Sequence, residues 1–239
     1  MADLAEPAQL IAWTARQLAK VYGRRPQVRW NEPLAELIGT VLSQHTSDVN
    51  AGRAFASLRA RYANWEAVRD APPEELRETI RQGGLAAIKA ARIQAILRAL
   101  SRPDGRVAMP DLTAMGVQAA RGFLLELPGV GRKTASCVLL FACQLPVIPV
   151  DTHVHRVATR LGMAPRRASP EQTCDLLEAA VPPEDCYSFH LNLIRHGREV
   201  CKAQRPRCAI CTLQTRCRTY QPNEASATAA FFERKKRSS

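Results

Sequence analysis

The chain has no run of about eighteen apolar residues, so no segment reads as a helix crossing a bilayer. Its first residues, which include Asp3 and Glu6, lack the charged-then-apolar pattern of a secretory signal, and a cytoplasmic location is expected. No stretch alternates apolar and polar residues for long enough to build a sheet, and no long-period repeat occurs. Glycine and proline are not in excess, which leaves most of the 239 residues free to fold as one large or two modest domains. Lysine is scarce, occurring only at 20, 89, 133, 202, 235 and 236, which keeps the list of candidate lysine nucleophiles short. What the chain does have is a formal net charge of +12, which points to a polyanionic partner. Ribosomal proteins and membrane-surface binders share such a balance, so charge alone does not choose among them.

Apolar periodicity predicts helices over 7–22, 33–43, 48–62, a short one from Pro72-Pro73 to Gly83-Gly84, and 86–100. Further helices are expected at 116–126, 132–143, 152–161, 170–181 and 184–198. Asn31 and Asp48 are the expected caps of the second and third helices, and Ser169-x-x-Gln172 forms a capping box. The expected fold class is all-α. Residues 221–239 read as a mobile basic tail ending Arg234-Lys235-Lys236-Arg237.

Leu127-Pro128-Gly129-Val130-Gly131-Arg132-Lys133-Thr134-Ala135 joins two helical runs. Pro128 stops the first, and the two glycines permit a bare turn whose N–H groups, with those opening the next helix, can hold a phosphate. Lys133 falls in the first turn of that helix, where the dipole makes an amine easier to deprotonate, as a nucleophilic lysine requires. Such a lysine is also compatible with a plain solvated charge. Asp151, ahead of Val154, Val157, Ala158 and Leu161, reads as an N-cap.

Eight cysteines divide into two groups. Cys137, Cys143, Cys174 and Cys186 lie in apolar helices as ordinary core thiols. Cys201, Cys208, Cys211 and Cys217 are bunched, which favours a metal site in a reducing compartment over disulfides. Four thiolates at this spacing suit either one zinc ion or one [4Fe–4S] cluster.

Taken together, the Leu127–Ala135 string, Val150-Asp151-Thr152-His153-Val154-His155-Arg156-Val157 and the cysteine run resemble the endonuclease III family of DNA glycosylases from about Pro33 to Cys217. The resemblance implies a six-helix barrel with a helix-hairpin-helix over 27–145. A second helical domain, from 1–26 and 146–220, would carry a [4Fe–4S] cluster, with a DNA cleft between the two. It implies a monomer acting on double-stranded DNA that holds a damaged base or an abasic site. Lys133 would be the nucleophile that displaces the base and forms a Schiff base, with Asp151 stabilising the charge that develops on the sugar.

Gly129, Val130, Gly131 and Arg132 would bind DNA through the hairpin, and Lys202, Arg205 and Arg207 through the cysteine loop. By the same resemblance, Gln44 and His45 fill the gap left by an extruded base, with histidine standing where glutamine is usual. Leu85 is the apolar wedge. Ala86-Ala87-Ile88 replaces an aromatic and polar pair common in the family, leaving fewer hydrogen-bonding groups at the base pocket. Thr40 stands where adenine glycosylases of the superfamily carry a carboxylate. The implied reaction is excision of oxidised pyrimidines followed by strand nicking. A monofunctional mismatch or uracil glycosylase and a weakly active damage-binding protein are the alternatives.

Overall fold

The computed structural model describes residues 5–220; the expected basic tail at 221–239 lies outside them. Eleven α-helices occupy this span: α1 Ala5–Tyr22, α2 Pro33–Ser43, α3 Asp48–Arg61, α4 Trp65–Asp70, α5 Pro73–Thr79, α6 Ala86–Ala99, α7 Leu112–Glu126, α8 Arg132–Cys137, α9 Thr152–Leu161, α10 Pro170–Ala180 and α11 Cys186–Glu199. Among the described residues the only strand-like pairing is an isolated bridge between Ser101 and Val107.

The fold is all-α, as the lack of alternation predicts. α2 packs against α3, α6 and α8, while α1 and α9 both pack against α10 and α11. One continuous apolar core runs through both sets, from Leu37, Ile38 and Leu42 on α2 to Val154, Val157 and Leu161 on α9. No helix among the described residues is long and apolar enough to cross a membrane.

Several local expectations are corrected. Glu32, not Asn31, caps α2: its carboxylate accepts from Leu34 and Ala35 (3.1 and 2.8 Å), while the Asn31 amide donates to Glu36 (2.9 Å). Ser47, not Asp48, caps α3 by accepting from Asn50, and Asp48 instead pairs with Arg198 of α11. The short helix α4, opened by Asn64, adds to the expected series, because six residues carry too little periodicity to register in a sequence. α5 stops at Thr79, and a separate 3-10 turn covers Arg81–Gly83. Gly116, at φ 75°, breaks the start of α7 rather than opening it.

The second hairpin helix is not uniform either. α8 continues as a π-helical turn over Val138–Ala142. The connector after α1 takes up carbonyls there, with Gln27 donating to Leu140 O (3.2 Å) and the Trp30 amide to Phe141 O (3.0 Å). Trp30 then stacks on Phe141 with ring centroids 4.1 Å apart. The predicted buried stripe of Ala135, Val138, Leu139 and Ala142 is present.

Candidate active site and cysteine loop

The turn after α7 is anchored from inside and bare outside. Leu127 and Val130 are buried, and the Val130 amide donates back to Leu127 O (3.1 Å). Gly129 sits at φ +70°, which favours glycine, and a Cβ there would lie 2.2 Å from Arg92 Nε and push that side chain aside. Gly131 opens α8 with no side-chain cap and open space around it. The first amides of α8 are thereby left without side-chain partners, and Lys133 stands exposed among them. Arg132 turns the other way and pairs with Asp175 of α10.

α9 starts on the opposite plan. Asp151 caps it, with Oδ1 accepting from the Val154 amide at 2.7 Å, as its position in the sequence predicts. Its other oxygen accepts no hydrogen bond among the described residues. The charges of Lys133 and Asp151 both reach His190, a fully buried imidazole on α11 whose pKa burial pushes down to about 4. Lys133 also acts on the buried Cys137 thiol, pushed up mainly by desolvation, and on Glu36. Glu36 is raised chiefly by burial, which outweighs the hydrogen bonds from Asn31 and Thr40. Lysine, aspartate, a neutral histidine and a second carboxyl group thus gather where α2, α8, α9 and α11 meet.

The loop after α2 reaches the same place. Gln44 turns inward, its amide donating to Thr134 Oγ1 (3.3 Å) and its oxygen accepting from Arg92 (2.6 Å). His45 is exposed at φ 53°, and Leu85 is exposed at φ 48° on the neighbouring loop. Left-handed backbone at non-glycine residues is strained, and here it projects both side chains into solvent. Ile88 is exposed as well.

Lys202, Arg205 and Arg207 lie on the loop after α11, which is held against α9 by that helix's Arg156 and Arg160 side chains. Two arginines that sequence reasoning passed over fasten their loop. Arg156 donates to Cys201 O (3.0 Å) and Gly197 O (2.9 Å), and Arg160 donates to Lys202 O (2.7 Å) and Ala203 O (2.9 Å). Their spacing of four residues opposite the apolar face of α9 was the available signal.

Cys201, Cys208, Cys211 and Cys217 all line one cavity of about 170 Å³ with Arg160, His196 and Pro206. Among the described residues no three His, Cys, Asp or Glu side chains converge closely enough to grip a single ion. Four thiols set around a void suit a multi-iron cube better than one zinc, which needs its sulfurs about 2.3 Å from a common point. His196 reaches Cys211 Sγ at 3.6 Å and Tyr22 OH at 3.3 Å. The other four cysteines are buried, and desolvation pushes Cys174 and Cys186 up to about 12, as suits inert core thiols.

Comparison with known proteins accords with this geometry. Residues 38–183 match the family described as HhH-GPD superfamily base excision DNA repair protein. Endonuclease III of Thermotoga maritima is 37% identical over 89% of this chain and 94% of its own length. Endonuclease III of Bacillus subtilis is 36% identical over 81% of this chain and 84% of its own. Among solved structures, a trapped endonuclease III–DNA covalent intermediate superposes with a TM-score of 0.76 at 34% identity, covering 89% of this chain and 96% of that one. The chain therefore belongs to the HhH-GPD superfamily of base excision DNA repair proteins and, within it, to the endonuclease III family.

Proposed function

We propose that the chain is a bifunctional DNA glycosylase and abasic-site lyase acting on oxidised pyrimidines, with Lys133 as nucleophile. The observation that carries this reading is the exposed Lys133 amine at an uncapped helix start, in the field it shares with Asp151. A damaged nucleotide leaves the stack, because C1′ is out of reach inside the duplex. The neutral amine of Lys133 attacks C1′ and the C1′–N bond to the base breaks, its electron pair leaving with the base. Loss of a proton and ring opening give the Schiff base. Removal of a C2′ proton then expels the 3′ phosphate and nicks the strand. The free oxygen of Asp151 stabilises positive charge on the sugar and carries protons, while its partner oxygen keeps α9 capped.

Two helical domains grip the duplex on either side of the lesion. The hairpin turn takes one backbone segment, and Lys202, Arg205 and Arg207 take another. Cys201, Cys208, Cys211 and Cys217 hold a [4Fe–4S] cluster, which when bound supplies a cross-link that shapes the basic loop. The protein acts as a monomer in the cytoplasm. The second reading is monofunctional excision of uracil or mismatched thymine, and the observation behind it is the exposed apolar surface of Leu85, Ala87 and Ile88, which offers no side-chain hydrogen bonds to the added hydroxyl groups of an oxidised pyrimidine.

Borohydride trapping on a duplex with an abasic site tests the reading. Wild type should form a covalent band and Lys133→Gln none, with duplex binding retained. Tight binding without a wild-type band would overturn the lyase reading and leave a monofunctional glycosylase or a damage-binding protein.

A further inference from the structure

Lys89 is 2% exposed, yet no carboxylate pairs with it among the described residues. Arg121, by contrast, is buried beside Glu178 at 2.8 Å. An unpaired buried ammonium is costly, so whatever holds Lys89 inside must offset a large desolvation penalty. Its amine donates to two backbone carbonyls, Leu42 O and Gly83 O, both at 2.7 Å. No backbone amide reaches either carbonyl among the described residues. Each ends a helical element: Leu42 closes the last turn of α2, and Gly83 closes the 3-10 turn before α6. Two helix ends that point negative dipoles at one spot would repel, and a cation between them turns that repulsion into a clasp.

The loops that leave these two carbonyls give the clasp its meaning. His45 lies three residues past Leu42 and Leu85 two past Gly83. Both are exposed, and both have positive φ. The two loops lie close together: a Cβ added at Gly84 would come within 4.0 Å of Thr46 Oγ1, and one added at Gly83 would come within 3.2 Å of the Ala54 methyl on α3 and 3.8 Å of Leu42 O. One turn further along α6, Arg92 holds the Gln44 side chain and packs under Gly129 of the hairpin. A single helix face thus gathers three loops.

We propose that Lys89 is a positioning residue that locks the loop of Gln44 and His45 to the loop of Leu85, so that both enter duplex DNA as one rigid unit when a damaged nucleotide is extruded. The assignment rests on the glycosylase reading for its consequence, though not for the clasp itself. A rigid pair pays the strain of its left-handed residues once, on folding, and arrives preorganised. Loops that moved separately would have to be ordered at each encounter with DNA.

The test uses Lys89→Met, which keeps the packing and removes the donors. Hydrogen exchange without DNA should quicken at residues 43–47 and 84–87 together and leave 201–217 unchanged. Borohydride trapping on an abasic-site duplex should slow by roughly ten- to a hundred-fold, the scale expected when a positioning group is lost. Trapping on the same sequence as a single strand, where nothing need be extruded, should change by less than about two-fold, within the small effects of a site left intact. Lys89→Arg, which can still donate to both carbonyls, should recover most of the duplex rate. Should Lys89→Met lose its helical circular dichroism, Lys89→Leu, which likewise carries no donor, takes its place in the same comparisons. Loosening of one loop only, or equal losses on duplex and single strand, would overturn the clasp. A wild-type protein that traps neither substrate would instead remove the lyase reading, and the exchange result would then judge the clasp alone.

Discussion

The hairpin end and the cysteine-loop end of this molecule present backbone to solvent by opposite means. At the hairpin, Leu127 and Val130 are buried, and α6 ties the neighbouring loops down through Lys89 and Arg92. Its shape comes from the protein's own core and hydrogen bonds. From Cys201 to Cys217 the chain has only two 3-10 turns, Cys208–Ile210 and Gln214–Arg216, and its thiols are half-buried around a cavity. Arg156 and Arg160 hold one side of that loop to α9. Chemistry at the hairpin should therefore tolerate changes that the cysteine loop does not, while the loop should govern affinity more than catalysis.

The sharpest expected effect is at Asp151. Asparagine caps a helix about as well as aspartate, so Asp151→Asn should leave the melting temperature nearly unchanged. Turnover should fall by about a hundred-fold or more, since the charge and the proton carrier are gone. A matching loss of thermal stability would reduce Asp151 to a cap.

Next comes the loop. Replacing Lys202, Arg205 and Arg207 by glutamine should weaken duplex binding and flatten its salt dependence by roughly two to three units of slope. The rate of trapping at saturating protein should stay close to wild type. An unchanged salt slope would mean that the loop does not meet phosphates, and the contrast between the two ends would fail.

Two glycines two residues apart then separate shape from sequence. Gly129→Ala puts a Cβ into Arg92 and forces alanine to φ +70°, and should cost on the order of 1–2 kcal/mol from the backbone alone. Gly131→Ala meets nothing within 4 Å and should cost less, about 0.5–1 kcal/mol, the loss of a better N-cap. Equal costs in a thermal melt would contradict the packing of Arg92 beneath the turn.

The smallest effect is a pH dependence. Burial keeps His190 neutral with a pKa of about 4 against 6.5 in the open, the nearby Asp151 raising it and Lys133 lowering it. Between those values the unfolded chain binds more protons than the folded one, so stability present above pH 6.5 is lost as pH falls toward 4. His190→Gln should make the fall in melting temperature from pH 7 to pH 5 shallower. Parallel falls in wild type and variant would exclude that linkage.

Much of this architecture was legible in the sequence because its signals are local. The stripe on α8, the Ser169–Gln172 capping box and the cap at Asp151 each need only a few adjacent residues, and all three are present. Glu32 caps in place of Asn31 because α2 begins at Pro33, which puts residue 32 at the cap position, while Asn31 bonds Glu36 instead. The π-helical turn depends on a connector more than a hundred residues earlier in the chain. Lys89 has the sequence setting of any lysine in the first turn of a helix, and nothing near it reveals that the end of α2, 47 residues earlier, meets the turn at Gly83 over its amine. Long-range contacts decided the π-helical turn and the Leu42 half of the Lys89 clasp, and single-sequence patterns carry no record of them.

In the proposed mechanism one lysine, Lys133, both removes the base and opens the strand. Product analysis on a duplex bearing a single oxidised pyrimidine tests it most directly. The expected products are the released base and a nicked strand that ends in the unsaturated aldehyde left by β-elimination. Release of the base with the strand intact would contradict it, and the protein would then be a glycosylase that works without the Schiff base of Lys133.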